Sequence, residues 1–263
     1  MINAQFDGLA QGYDRHRPRY PQVLIEKIAR SMPDKSIYTI ADIGAGTGIA
    51  LEGLIPTLGE EHVYHAVDIS NDMIDFGRRK FPHVFWHHGK AEEIVSRLPS
   101  LDLILAAQSF QWMDRQSMLT AALPKLSPGG VFAILQNNRD FSSNVFLDEY
   151  ETLLEEMSPN YHRFYRVLDF QAVLAKAFSC RRDMVECKTH DWSTSVPVDA
   201  FISMSQSSTQ VQRAIATHGE TYLQRLKSLL DKHQHHGLVE LRYNSQLFLI
   251  RKSKMVANDI REL

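Results

Sequence analysis

The stretch "IYTIADIGAGTGIALEGL", Ile37 to Leu54, decides how the rest of the chain is read. An apolar run of strand character stops at Asp42. Glycines follow at 44, 46 and 48, and helical periodicity takes over at once. Glycine lets a backbone adopt dihedrals barred to other residues and come close to a ligand. In a parallel sheet such a turn lies outside the carboxyl ends of the strands, near the point where strand order reverses. The next strand-like run, "HVYHAVDIS" (62–70), ends in Asp68, twenty positions after Gly48. An acid there is placed to accept hydrogen bonds from both hydroxyls of a ribose.

The same rhythm continues outward. Strands are expected at 37–44, 62–70, 83–89, 101–107 and 131–137, with helices between them and "SPGG" as the turn into the fifth. Ser70 or Asn71 is suited to cap the helix over 71–81, whose basic residues gather at the C-terminal end favoured by the helix dipole. Strands separated by helices predict an α/β fold with a parallel sheet covered on both faces and right-handed crossovers. After Asn138 the pattern changes. Residues 142–178 read as helical with no strand, 181–193 as a strand, 198–233 as helical, and 238–253 as a last strand or a bent pair. No repeat or Pro/Gly/Ser-rich linker divides the chain, so residues 1–263 are expected to form one domain. Its parts are an N-terminal cap (1–30), a ligand-binding core (37–137) and helical additions at 140–180 and 197–233.

Composition narrows the function classes. The 263 residues are 44% hydrophobic, enough for a substantial core. Lys plus Arg is 29 against 31 Asp plus Glu, a formal net charge of -2. A nucleic-acid partner usually demands a basic excess or stripe, so none is expected. The two cysteines, Cys180 and Cys187, form neither a CxxC nor a disulfide framework. The "HQHHG" cluster, His233 to Gly237, has no neighbouring acid or cysteine set and reads as a solvated helix end, so no metal site is expected. The first residues lack the apolar segment of a signal peptide, and no run approaches the length of a membrane helix. These features together predict a cytoplasmic protein with no membrane partner.

Two ligand classes use a glycine turn followed by an acid. A dinucleotide fingerprint, GxGxxG, requires a third glycine where this chain has Ile49. Asp42 would also repel a pyrophosphate, whereas it can receive an ammonium group. "DIGAGTG" instead resembles the first motif of class I S-adenosylmethionine-dependent methyltransferases, which are Rossmann-like with a mostly parallel seven-stranded sheet and helices on both faces. "HAVDISNDMI" resembles that family's second motif and implies Asp68 at the ribose, with Ile69 and Met73 beside adenine. "HHGKAEEI" resembles the stretch after strand three, where an acid usually accepts from the adenine amino group. This chain has Lys90 there, and lysine has donors only. Adenine contacts are therefore expected across Gly89, Lys90, Ala91 and Glu92, with Glu92 or a backbone carbonyl taking that bond. "LDLILAAQSFQWMD" and "KLSPGGVFAI" resemble the strand-four and strand-five motifs. The N-terminal "FDGLAQGYDRHRPRYP" is similar to a subgroup of small-molecule enzymes, the type-11 methyltransferases that include trans-aconitate methyltransferase, in which this segment caps the cofactor.

The resemblance implies methyl transfer by in-line displacement. The cofactor brings the electrophile, and the protein positions the acceptor and excludes water. The resemblance favours a carboxylate or hydroxyl oxygen as acceptor. Strand four should deliver Gln108, Gln111 and Trp112 beside the methyl group. No Pro-Pro pair follows it, which argues against amino methylation of adenine or protein amides. Gln111, Trp112 and Tyr13 are the candidate catalytic residues. Expected cofactor contacts are Tyr13, Arg17, Asp42, Gly44, Ala45, Gly46, Gly48, Asp68, Ile69, Met73, Gly89, Lys90, Ala91, Glu92 and Gln108. Expected acceptor contacts are Tyr20, Gln111, Trp112, Tyr161, Tyr165 and Ser203, with Tyr161, His162 and Tyr165 within about one helical turn. Two other readings stay open: a non-catalytic cofactor-binding protein of the same fold, and a nicotinamide-dependent oxidoreductase.

Overall fold

The computed structural model describes residues 10–164 and 167–253. Seven strands form one sheet: β1 (Thr39–Ile43), β2 (Val63–Asp68), β3 (Phe85–His88), β4 (Leu101–Ala107), β5 (Leu126–Arg139), β6 (Glu186–Pro197) and β7 (Leu238–Arg251). Their order is β3-β2-β1-β4-β5-β7-β6. The first five are parallel, and β7 runs antiparallel to both β5 and β6. Order reverses between β1 and β4, so the glycine turn after β1 opens at the switch point.

Helices fill both faces. Along β1, Ala41 and Ile43 join one buried cluster and Ile40 the other, as the two-residue strand period requires. The Ile40 face is covered by α2 (Gln22–Ser31) and α3 (Ile49–Leu58), through Leu24, Ile25, Leu51 and Leu54. The opposite face is covered by α5 (Ala91–Val95), α6 (Arg115–Lys125) and α8 (Phe170–Ala177). The helix α4 (Asn71–Lys80) starts where expected: Ser70 is its N-cap and accepts from the Met73 N–H at 3.4 Å. A third core joins α7 (Val145–Met157), α9 (Val198–Gln206), α10 (Thr209–His218) and α11 (Glu220–His233) to the first half of β7. The N-terminal α1 (Ala10–His16) lies against α4 and α9.

Three details differ from the sequence expectations. "SPGG" is not a free turn: β5 runs through it, with a register break between Leu101 and Leu103 and Gly129 at φ 79°. The last strand is one 14-residue strand, not a bent pair. Residues 158–164 are not helical, because Pro159 and the left-handed Asn160 (φ 58°) end α7. Tyr161 and His162 therefore do not share a helical turn, and Tyr165 lies outside the described residues. Among the described residues no helix is long and apolar enough to cross a membrane.

Candidate active site

Gly44, Gly46 and Gly48 all have positive φ, at 65°, 56° and 83°. Two of them are required by the protein's own packing. A Cβ on Gly44 would lie 2.4 Å from Ser109 Cβ, and one on Gly48 would lie 2.9 Å from Phe81. At Gly46 the nearest atom is Tyr13 Cε1, at 3.9 Å. Its N–H donates to Asp68 Oδ2 at 2.8 Å, while the Ser70 N–H donates to Asp68 Oδ1 at 2.9 Å. The turn and the second acid are thus one unit. Burial raises the Asp68 pKa against the pull of these two amides.

Asp42 is fully buried, and neither carboxylate oxygen has a hydrogen-bond partner among the described residues. Burial pushes its pKa up to about 8, and the charge of Asp68 adds to the shift. A buried carboxylate without a donor is costly. Its presence beneath the turn suits a ligand that brings a cation.

The remaining expected cofactor residues divide. Ala45 is buried and its N–H donates to Val67 O at 3.0 Å. Ile69 is 60% exposed at the end of β2, an apolar surface open to a base, and Met73 is buried in α4. The Gly89 N–H donates to Asp68 O at 2.9 Å, and Ala91 is buried. The Lys90 side chain turns outward, 68% exposed and 3.8 Å from Glu93. Glu92 lines a groove together with Asp114, the N-cap of α6, and Ser117 within it.

Over the turn lies α1. Asp14 accepts from Thr47 Oγ1 at 2.8 Å and from Lys80 at 2.6 Å. Arg19 pairs with Glu52 at 2.5 Å, and its backbone carbonyl accepts from Asn137 Nδ2 at 3.2 Å. The Arg17 guanidinium sits 4.8 Å from the Tyr13 ring centroid, and its Nε is buried with no hydrogen-bond acceptor among the described residues. Tyr13, Arg17, Tyr20, Gln108 and Trp112 line one chamber of about 70 Å³. Gln108 holds φ 55°, rare for a non-glycine residue. Its carbonyl accepts from Gln111 Nε2 at 2.9 Å, and Gln111 Oε1 accepts from Gln136 Nε2 at 3.2 Å. Both ends of the Gln111 amide are therefore fixed.

Through Arg17, Pro18, Asn137 and Gln210 this chamber meets a cleft of about 790 Å³. Tyr161 lines the cleft and donates to Glu151. Ser203 lines neither space: its hydroxyl bonds back to Asp199 O within α9, and Met204, Ser208 and Gln210 face the cleft instead. Arg139, Glu151 and Tyr243, all cleft residues, carried no motif in the sequence. Only the tertiary packing of α7 and α9 on β5 and β7 brings them together.

Residues 40–130 match the family described as "Methyltransferase domain". That segment is thus similar to methyltransferase domains, and it spans the glycine turn, Asp68 and the first four strands of the Rossmann-like sheet described above. The chain is 30% identical over 156 residues to an uncharacterized methyltransferase of Schizosaccharomyces pombe, covering 59% of this chain and 61% of that one. It is 32% identical over 113 residues to trans-aconitate 2-methyltransferase of Azoarcus sp., covering 42% and 44%. The chain spans about half to three-fifths of the length of the first curated relatives it matches. A solved structure from Anaeromyxobacter dehalogenans, put forward as a type II methyltransferase, superposes with TM-score 0.67 at 23% identity, covering 90% of this chain and 98% of that one. The plantazolicin methyltransferase BpumL, solved with S-adenosylhomocysteine, superposes with TM-score 0.50 at 18% identity over 92% and 89%. The donor set fits S-adenosylmethionine: Asp42 offers an unpaired buried acid to an ammonium group, Asp68 retains free lone pairs for hydroxyls, and Ile69 offers a flat apolar surface.

Proposed function

We propose that the whole protein is a methyltransferase that methylates a carboxylate or hydroxyl oxygen of a small-molecule acceptor. The observation that carries this is the fully buried Asp42, without a hydrogen-bond partner among the described residues, beside a glycine turn whose following residue Ile49 lines the chamber that meets a cleft large enough for a drug-sized molecule. S-Adenosylmethionine supplies an electrophilic methyl group on a sulfonium when bound. Asp42 holds its ammonium group, Asp68 its ribose hydroxyls, and Ile69, Met73 and Gly89 to Glu92 flank its base. Tyr13 and Arg17 on the α1 segment close over it and exclude water, with Arg17 at its carboxylate. Gln111, fixed at both ends of its amide, and Trp112 orient the acceptor, with Tyr20 and Tyr161 on its walls. The helical additions at 140–180 and 197–233 form the outer wall of the acceptor site. A carboxylate acceptor needs no general base. The Azoarcus relative, a trans-aconitate methyltransferase by name, supports that acceptor class. We place the protein in the cytoplasm and propose no nucleic-acid partner, in keeping with its charge.

The test is calorimetric titration with S-adenosylhomocysteine, followed by transfer of a labelled methyl group to a library of small acids and alcohols. Binding with labelled product supports the reading. Binding with no transfer to any acceptor class would move the protein to the non-catalytic alternative.

A further inference from the structure

Arg139 ends β5 inside the cleft, with its side chain 18% exposed. Its guanidinium lies 5.0 Å from the Tyr150 ring centroid and 5.9 Å from that of Phe201. Cation–π contact of this kind holds a planar cation in one orientation. Its acidic neighbour is Glu151, at 3.7 Å, longer than a hydrogen bond. The other Glu151 oxygen accepts from the Tyr161 hydroxyl. The hydroxyls of Tyr150 and Tyr243 stand next to the guanidinium. Arg163 and Arg182, which also line the cleft, differ: Arg163 bonds Glu155 at 2.8 Å and Asp148 at 2.6 Å, and Arg182 bonds Asp169 at 2.5 Å.

A guanidinium has five donors in a fixed fork that matches a carboxylate. Here its near neighbours are two neutral tyrosine hydroxyls and a carboxylate at 3.7 Å, which do not fill the fork in a bidentate way. Arg139 is held rigid by rings, faces a cleft, and has no carboxylate within hydrogen-bonding distance among the described residues. We propose that Arg139 is a specificity-determining residue that binds an acidic group of the acceptor in a bidentate manner. It selects carboxylates over alcohols and amines of the same shape. This deepens, and rests on, the methyl-transfer reading of the same cleft. Lysine cannot replace it, since an ammonium group has neither the fork nor the planar stacking surface.

The test follows the arginine Nε–Hε resonances of the isotope-labelled protein during titration with succinate or benzoate, with and without S-adenosylhomocysteine. The Arg139 signal is expected to shift saturably, with a dissociation constant in the millimolar range. Butanediol and benzylamine should leave it unmoved. Arg139→Gln and Arg139→Lys should both abolish acid binding and retain S-adenosylhomocysteine affinity. Glu151→Gln removes the competing carboxylate and should tighten acid binding several-fold, which keeps the test decisive if the arginine variants fail to fold. No saturable shift at tens of millimolar acid, equal binding by Arg139→Gln, or weaker binding by Glu151→Gln overturns the proposal. Failure to bind S-adenosylhomocysteine, with acids still bound at Arg139, would refute the methyl-transfer reading and leave this site standing.

Discussion

Replacing Asp42 by Asn should uncouple cofactor binding from the proton. In the ligand-free protein Asp42 titrates at about 8, because burial and the nearby Asp68 both oppose its charge. At pH 7 a group with that pKa is about nine-tenths protonated. An ammonium group arriving beside it needs the ionised form, so binding expels the proton. Between pH 6 and 8 the apparent affinity should rise roughly 50-fold, or about 2 kcal/mol at 1.36 kcal/mol per decade. Calorimetry in buffers of different ionisation enthalpy reads the proton count directly, and about 0.9 protons should be released at pH 7. Asp42→Asn should release almost none, bind weakly and lose the pH slope. The same shift acts on folding with the opposite consequence. The native state holds a proton that the unfolded chain gives up near 3.8, so ligand-free stability falls as pH rises from about 4 to 8. Asp42→Asn removes that loss and should unfold at a higher temperature than the parent at pH 8. Buffer-independent binding enthalpy in the parent, or an unchanged pH slope in the variant, would refute the coupling.

Other sites yield sharper contrasts. Asp68→Ala removes the acceptor of the Gly46 and Ser70 N–H groups and should weaken S-adenosylhomocysteine binding about tenfold to hundredfold, from the 1.5–3 kcal/mol of a charge-assisted hydrogen bond, as read by calorimetry. Gly44→Ala meets Ser109 at 2.4 Å and should cost about 3 kcal/mol in urea unfolding. Gly46→Ala has room and should cost only the backbone strain of about 1 kcal/mol. Asp102 is buried and accepts from Lys35, Thr39 N–H and Ser127. Burial alone would raise its pKa, but these partners hold it below the ordinary range. Its contribution is present above about pH 4 and lost as pH falls through the folded value, so Asp102→Asn should cost about 2 kcal/mol at pH 7 and little in acid, by urea midpoints.

The parallel half of the sheet was legible because β1, β2 and β4 are short apolar runs that end in a turn signal. "ADIG" and "AVDIS" also placed two acids at the switch point, where local sequence and tertiary position coincide. The proposed acceptor cleft was not legible in the same way. Arg139 ends a strand whose apolar pattern stops at residue 135, and in the sequence Glu151 reads like any surface acid on a helix. Their meaning comes from Tyr150, Phe201 and Tyr161, which converge from three separate segments. Ser203 and its neighbour Met204 show the limit: a helix turn of 100° per residue decides which one meets the cleft, and composition carries no phase. The "SPGG" segment failed for another reason. Gly129 and Gly130 read as a turn, yet they lie in the register break of the β4 ladder and pair instead with Lys252 beyond β7.

The position of β7 sets an order of assembly. It follows β6 in sequence but inserts between β5 and β6, so β6 has no neighbour in the sheet until residues 238–251 have been made. The parallel strands β1 to β5 need nothing from it. During synthesis the half that holds the glycine turn can therefore condense first, with β6 and α9 to α11 waiting as an unfinished surface. One late strand then closes both the sheet and the third core, through Leu247 and Leu249 on one half and Val239, Leu241 and Tyr243 on the other. A slow or missing β7 should leave a chain that is folded at one end and prone to aggregate at the other.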